Sequence, residues 1–173
     1  SLEEAFKKHG ADVMGIRQVA AGGRLQLSMG WSPTVFAEAC RKVLQDGLDS
    51  GAKWATRMLD VVQPRAKTVA WVAGSALLTS RKQFESIHGF DERYFLYFED
   101  IDYCLRASET GAKVVYLDAF EILHHRGASA ETEPEASQKH YRHSQDLFFR
   151  RHGRGMAKYV LPLWSKVRRA LKP

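Results

Sequence analysis

The stretch GFDERYFLYFEDIDYCLR, residues 89–106, places three carboxylates (Glu99, Asp100 and Asp102) directly behind four aromatics (Tyr94, Phe95, Tyr97 and Phe98). A carboxylate at a helix start is stabilised as the anion by first-turn N–H groups. Aromatic neighbours strip it of water and raise its affinity for a proton. A group held between those two effects suits a general base, able to take a proton from a hydroxyl. On a 3.6-residue wheel over residues 99–110, Ile101, Cys104 and Leu105 gather on one side with Ser108 beside them, and Glu99, Asp102 and Arg106 fall nearly opposite. Asp102 and Arg106, four apart with the acid first, form a surface pair. Asp100 lies on the edge next to Cys104 and has no such local partner. The same residues also permit a plainer reading, in which Glu99 and Asp100 cap a helix and do no chemistry.

Downstream, VVYLDAFEIL delivers His124 and His125 at the end of a strand-like run. Such a pair can ligate a metal, donate a proton or lie on polar surface, and its spacing leaves these open. The sequence has no G-x-x-x-x-G-K-[ST], H-E-x-x-H, G-x-S-x-G or paired C-x-x-C. Cys40 and Cys104 make no disulfide framework, which suits a reducing compartment.

The elements that must position these groups alternate. Residues 2–9 read as a helix closed by Gly10, and DVMGIRQV as a strand over 13–18. PTVFAEACRKVLQDG reads as a helix with Pro33 at its first position and Gly47 at its end. Residues 49–67 suggest helix and loop. TVAWVAGSALLTS, residues 68–80, is the strongest buried-strand candidate, followed by a short helix stopped by Gly89. EDIDYCLRASETG is a helix of three turns ending at Gly111, KVVYLD a strand over 113–118, and helices resume from Pro134. Helices alternating with strands predict an α/β fold.

With 173 residues, 45% hydrophobic and 27% charged, the chain can bury a core. Its longest apolar run, residues 69–78, is half of the roughly 20 residues a membrane-spanning helix needs. The net charge of +6 is uneven. Residues 150–173 hold eight Lys or Arg and no acid, leaving 18 basic against 20 acidic side chains before them. PLWSKVRRALKP, residues 162–173, sets Leu163, Trp164, Val167, Ala170 and Leu171 opposite Lys166, Arg168, Arg169 and Lys172. That pattern fits a helix lying on anionic lipid, and equally a helix packed on its own domain. The chain thus divides into residues 1–150 and a basic amphipathic helical tail, 151–173. Nucleic acid is not an expected partner, since the charge is confined to one end and no nucleic-acid motif accompanies it.

One ordered set of motifs spans residues 69–129: Trp-Val-x-Gly, an Arg-containing helix, Gly-Phe-Asp-Glu-x-Tyr-Phe, Glu-Asp-x-Asp-x-Cys-x-Arg, a Gly-x-x-Val-x-Tyr strand and a His-His pair. It resembles the second half of glycosyltransferase family 2, in its bacterial rhamnosyltransferase-like branch. More weakly, the resemblance extends over residues 12–150.

The resemblance implies part of a GT-A fold, a mixed and mostly parallel sheet flanked by helices, with a helical C-terminal tail. It implies inverting transfer of a single sugar, with rhamnose a family lean, from a nucleotide-sugar donor to a glycan or lipid-linked acceptor. Asp100 matches the family's catalytic base. Trp71, Gly74, Ser75 and Glu99 match substrate-lining positions, and His124 falls where a metal-assisting His is expected. The implied cofactor is a divalent ion, Mg or Mn, held by an Asp-x-Asp motif. Here the one Asp-x-Asp is Asp100-Ile101-Asp102, the base segment itself. The chain therefore reads as the acceptor-side, carboxyl-terminal part of a longer enzyme, inactive alone. Its expected place is the cytoplasm, peripheral on the inner face of the plasma membrane, and an open sheet edge can also pair with a second copy. The competing reading is a non-catalytic binding module whose basic tail engages membrane or nucleic acid.

Overall fold

The computed structural model describes residues 1–31, 34–62, 67–125 and 134–153. Helix α1 (Leu2–Lys8) opens on a capping box, with Ser1 and Glu4 satisfying each other's backbone N–H groups. It leads into β1 (Val13–Val19), buried at six of its seven positions. β1 is the hub of the main sheet. On one side it runs parallel to β7 (Val114–Leu123), with Val13 opposite Val114 and, past a register shift after Ile16, Val19 opposite Leu123. On its other side it pairs antiparallel with β2 (Leu25–Gln26) near its end and with β6 (Leu77–Thr79) near its start. The edge strand β4 (Lys67–Thr68) pairs antiparallel with β7. A separate two-stranded ribbon joins β3 (Met29–Gly30) to β5 (Trp71–Val72), again antiparallel.

The α/β reading holds, but its expected mostly parallel sheet does not: β1–β7 is the one parallel pairing among the described strands. The reason is connection length. β1 and β2 are joined by a tight turn through Gly22 and Gly23, which reverses the chain, whereas β1 and β7 are separated by several helices that allow a crossover.

Between β3 and β4 lie α2 (Val35–Asp49), capped by the Thr34 hydroxyl, and α3 (Lys53–Val62). Pro33, expected at the first position of α2, lies outside the described residues. α2 also runs past Gly47, the expected stop. A Cβ there would sit 2.5 Å from the Trp54 ring, so the missing side chain lets α3 close on α2.

Residues 68–80 do not form one strand. β5 belongs to the ribbon and β6 to the main sheet, and the chain changes partners through a 3₁₀ turn at Gly74–Ala76. Then follow α4 (Arg81–Ser86), α5 (Glu99–Glu109) and, after β7, α6 (Pro134–His152). The main core gathers Val13, Val72, Tyr103, Cys104, Tyr116, Phe148 and Phe149 from β1, β5, α5, β7 and α6. No helix among the described residues is long and apolar enough to cross a membrane. The amphipathic segment 162–173 lies outside the described residues.

Candidate active site

The start of α5 is strained and braced. Tyr97 and Phe98 both take left-handed backbone, with φ of 67° and 69°, unfavourable for side chains of this bulk. α6 holds them there. Ser144 donates to the Leu96 carbonyl at 2.7 Å, the Tyr97 hydroxyl lies 3.0 Å from Ser137 Oγ, and the buried Phe98 ring packs on Tyr141 and Phe148. Phe98 is the N-cap, so no side chain caps α5 in the ordinary way. The two acids that follow project from its first turn.

Asp100 reaches across to the 3₁₀ turn. Its Oδ2 accepts the Gly74 N–H at 2.8 Å and its Oδ1 accepts the Ile101 N–H at 2.8 Å. A Cβ on Gly74 would stand 3.1 Å from the Asp100 Cβ, so glycine allows this approach. Burial raises the proton affinity of Asp100; the two N–H groups and the charge of Arg41 partly oppose it. Glu99 is half-buried, its Oε2 enclosed without a hydrogen-bond partner among the described residues. Burial and the charge of Asp100 push its carboxyl up to about 7.

The next residue of the turn, Ser75, donates to Gln18 Oε1 at 2.8 Å. Gly74 and Ser75 thus clip the start of α5 to the end of β1. Of the residues the resemblance names, the structure joins Gly74 to Asp100 directly, with Ser75 and Glu99 their neighbours in the chain. Trp71 stands upstream on β5, buried, its ring filling the space above Gly30. Beyond the end of β7, His124 Nδ1 lies 2.8 Å from Gln26 Oε1, and Gln26 pairs with Gln18 across β1–β2. Gln18, Gln26 and Arg41 are the site residues that sequence reasoning missed. A buried glutamine near the end of an otherwise apolar strand was the available signal for Gln18.

Three His, Cys, Asp or Glu side chains placed to share an ion occur nowhere among the described residues. With His124 engaged by Gln26, the described residues alone do not build a metal centre.

Asp102 corrects the sequence reading. It is fully buried rather than part of a surface pair. Arg106 Nε donates to it at 2.6 Å, His152 Nε2 lies 2.7 Å away and Arg151 Nε 3.5 Å. Burial pushes its pKa up, but His152 and Arg106 outweigh that and hold it below the usual carboxylate range. Arg106 also donates to the carbonyls of Ile87 and Gly89, tying the loop before α5 to its middle. The four aromatics divide likewise: Tyr94 and Phe98 are buried, while Phe95 is exposed and stacks on His140.

Comparison with known proteins bears on this geometry. Over 87 residues, half of this chain, it is 37% identical to an N-acetylglucosaminyl-diphospho-decaprenol L-rhamnosyltransferase of Mycobacterium tuberculosis. Over 57 residues it is 46% identical to rhamnosyltransferase WbbL of Escherichia coli. Both of these relatives are rhamnosyltransferases, and it is to them that half or less of the chain is similar. An O-antigen biosynthesis protein, RfbC of Myxococcus xanthus, is 36% identical over 67 residues. The match covers 28%, 22% and 5% of these three relatives, so the chain spans under a third of each. No family model and no solved structure matches it.

Proposed function

We propose that this chain is the acceptor-side part of an inverting glycosyltransferase that adds one sugar, rhamnose by its relatives, from a nucleotide-sugar to a lipid-linked or other glycan acceptor. The observation that carries the reading is Asp100. It is a carboxylate of raised proton affinity, oriented by two neutral N–H donors at a strained helix start. In the proposed step the acceptor hydroxyl gives its proton to Asp100 Oδ while its oxygen bonds to the anomeric carbon. The bond from that carbon to the nucleoside diphosphate breaks, and the diphosphate leaves with the electron pair. Glu99, whose enclosed Oε2 has no partner among the described residues, faces the substrate as a hydrogen-bonding group, and Gly74 and Ser75 fix the distance between α5 and β1.

A divalent ion belongs to this reading only with ligands from outside the described residues, His124 supplying one at most. Sugar transfer by the 173 residues alone is not expected. A lipid-linked acceptor places the enzyme at the cytoplasmic face of a membrane, with residues 162–173 touching anionic lipid.

The test is transfer by the natural-length protein from a panel of nucleotide-sugars, Asp100→Asn beside wild type. Loss of about 10²–10⁴ in kcat with donor binding retained is expected of a general base. Equal rates would return Asp100 to the role of a structural link between α5 and the turn.

A further inference from the structure

The N–H that Gly74 offers to Asp100 lies between two anchors of the same turn. Before it, the Ala73 N–H donates to the Ser28 carbonyl at 2.9 Å. After it, Ser75 Oγ donates to Gln18 Oε1 at 2.8 Å. Gly74 and Ser75 are themselves exposed, so hydrogen bonds rather than packing hold this part of the chain in place.

The second anchor works against the strand that carries it. Gln18 is the buried polar side chain of β1, 2% exposed. While its Oε1 serves Ser75, its Nε2 is enclosed with no hydrogen-bond partner among the described residues. Turning the amide end for end would orphan the oxygen instead. A buried polar group without a partner lowers stability, and an apolar side chain of similar size would avoid that loss. Val13, Met14, Ile16 and Val19 fill the rest of the strand and are all buried, so leucine at position 18 would suit β1 better. A side chain that destabilises its own strand while bonding the turn beside the carboxylate is there for geometry.

Resting on the transferase reading above, we infer that Gln18 is a positioning residue: through Ser75 it fixes the turn so that the Gly74 N–H stays on Asp100 Oδ2 as that carboxylate receives the acceptor's proton. Gln18 acts through Ser75 and Gly74 rather than on substrate. A misplacement of about 1 Å can lower a rate about a hundredfold, so a turn loosened at one of its two anchors should lower it about tenfold.

The deciding variant is Gln18→Leu, which removes the acceptor for Ser75 and the orphaned donor together at similar volume. In the 173-residue chain, hydrogen exchange at the Gly74 amide, followed by NMR, should quicken while the amides of Met14 and Ile16 keep their protection. The thermal melt should stay level or rise. In the natural-length protein kcat should fall about tenfold with the KM values of donor and acceptor unchanged. Ser75→Ala should lower kcat by a similar factor, and adding it to Gln18→Leu should lower it no further, because both break one link. Rate and melting temperature then part company, which a simple loss of folding does not produce. Four results overturn the inference: unchanged exchange at Gly74; kcat retained in Gln18→Leu; a lowered melt that accompanies the lost rate; or a full further loss on adding Ser75→Ala, which would mean that Ser75 acts on substrate by itself. Failure of the transferase reading shows elsewhere, as no sugar transfer by wild type or an undiminished rate in Asp100→Asn. Exchange at Gly74 would then still decide whether Gln18 holds the turn.

Discussion

Asp100 and Asp102 are two residues apart on α5, and their surroundings differ in kind. Asp100 is met by neutral donors, the backbone N–H groups of Gly74 and Ile101, with the nearest cation acting from a distance. Asp102 is met by Arg106, Arg151 and His152 and is sealed from water. Neutral donors orient a carboxylate without cancelling its appetite for a proton, whereas cations cancel it. One acid keeps a raised proton affinity, and the other is spent on holding the helix. The helical wheel puts them on different faces but cannot say which face meets cations.

The largest effect should come from the spent acid. Asp102→Asn leaves Arg106 without its counter-charge in a buried setting and takes the charge from beside His152, a change that typically costs about 3–5 kcal/mol. Urea unfolding of both chains measures it. A loss below 1 kcal/mol would mean that the cluster is hydrated and that the contrast with Asp100 is overdrawn.

Glu99 sharpens the reactive side. Its carboxyl is pushed up to about 7 from an ordinary 4.5. The sign follows directly: the folded chain holds this proton more tightly than the unfolded one, so the contribution to stability is present below about pH 4.5 and is lost as pH rises through about 7. Glu99→Gln removes the dependence. Discounted for its partial exposure and its coupling to Asp100, the variant should match wild type near pH 4 and exceed it by roughly 1 kcal/mol at pH 8. Parallel stability curves for the two proteins across that range would show that Glu99 is hydrated and ordinary.

How far the sequence went depends on the reach of each interaction. α5 with its boundaries, the start of β1 and the short α4 were legible because period, caps and a terminal glycine are local. Asp100 and its neighbours were singled out through motif resemblance, with the local pattern leaving a cap as an open reading. What escaped depends on distant chain. The burial of Asp102 is decided by Arg151 and His152, about fifty residues on, which no window around α5 contains. Residues 68–80 looked like one strand because their apolar run is continuous; the break at Gly74 exists because β5 and β6 serve different sheets. Gln18 meets Ser75 across 57 positions, and Arg41 acts on Asp100 from α2, far outside any window around α5.

The smallest change tests the finest point, the contact between the turn and the base. Gly74 has no left-handed backbone to protect, so alanine there carries no conformational strain. Its Cβ would stand 3.1 Å from the Asp100 Cβ, tighter than ordinary contact, and one of the two must yield by a few tenths of an ångström. Stability should fall by less than about 1 kcal/mol, as for mild overpacking at a partly exposed position. If Asp100 is the base, kcat should fall about tenfold, since proton transfer is sensitive to sub-ångström displacement of the accepting oxygen. Acceptor KM should hardly move, because the displacement is confined to the turn and the Asp100 side chain. If Asp100 only ties α5 to the turn, the variant should show the stability loss and no change in kcat. The two roles are thus separable by one methyl group.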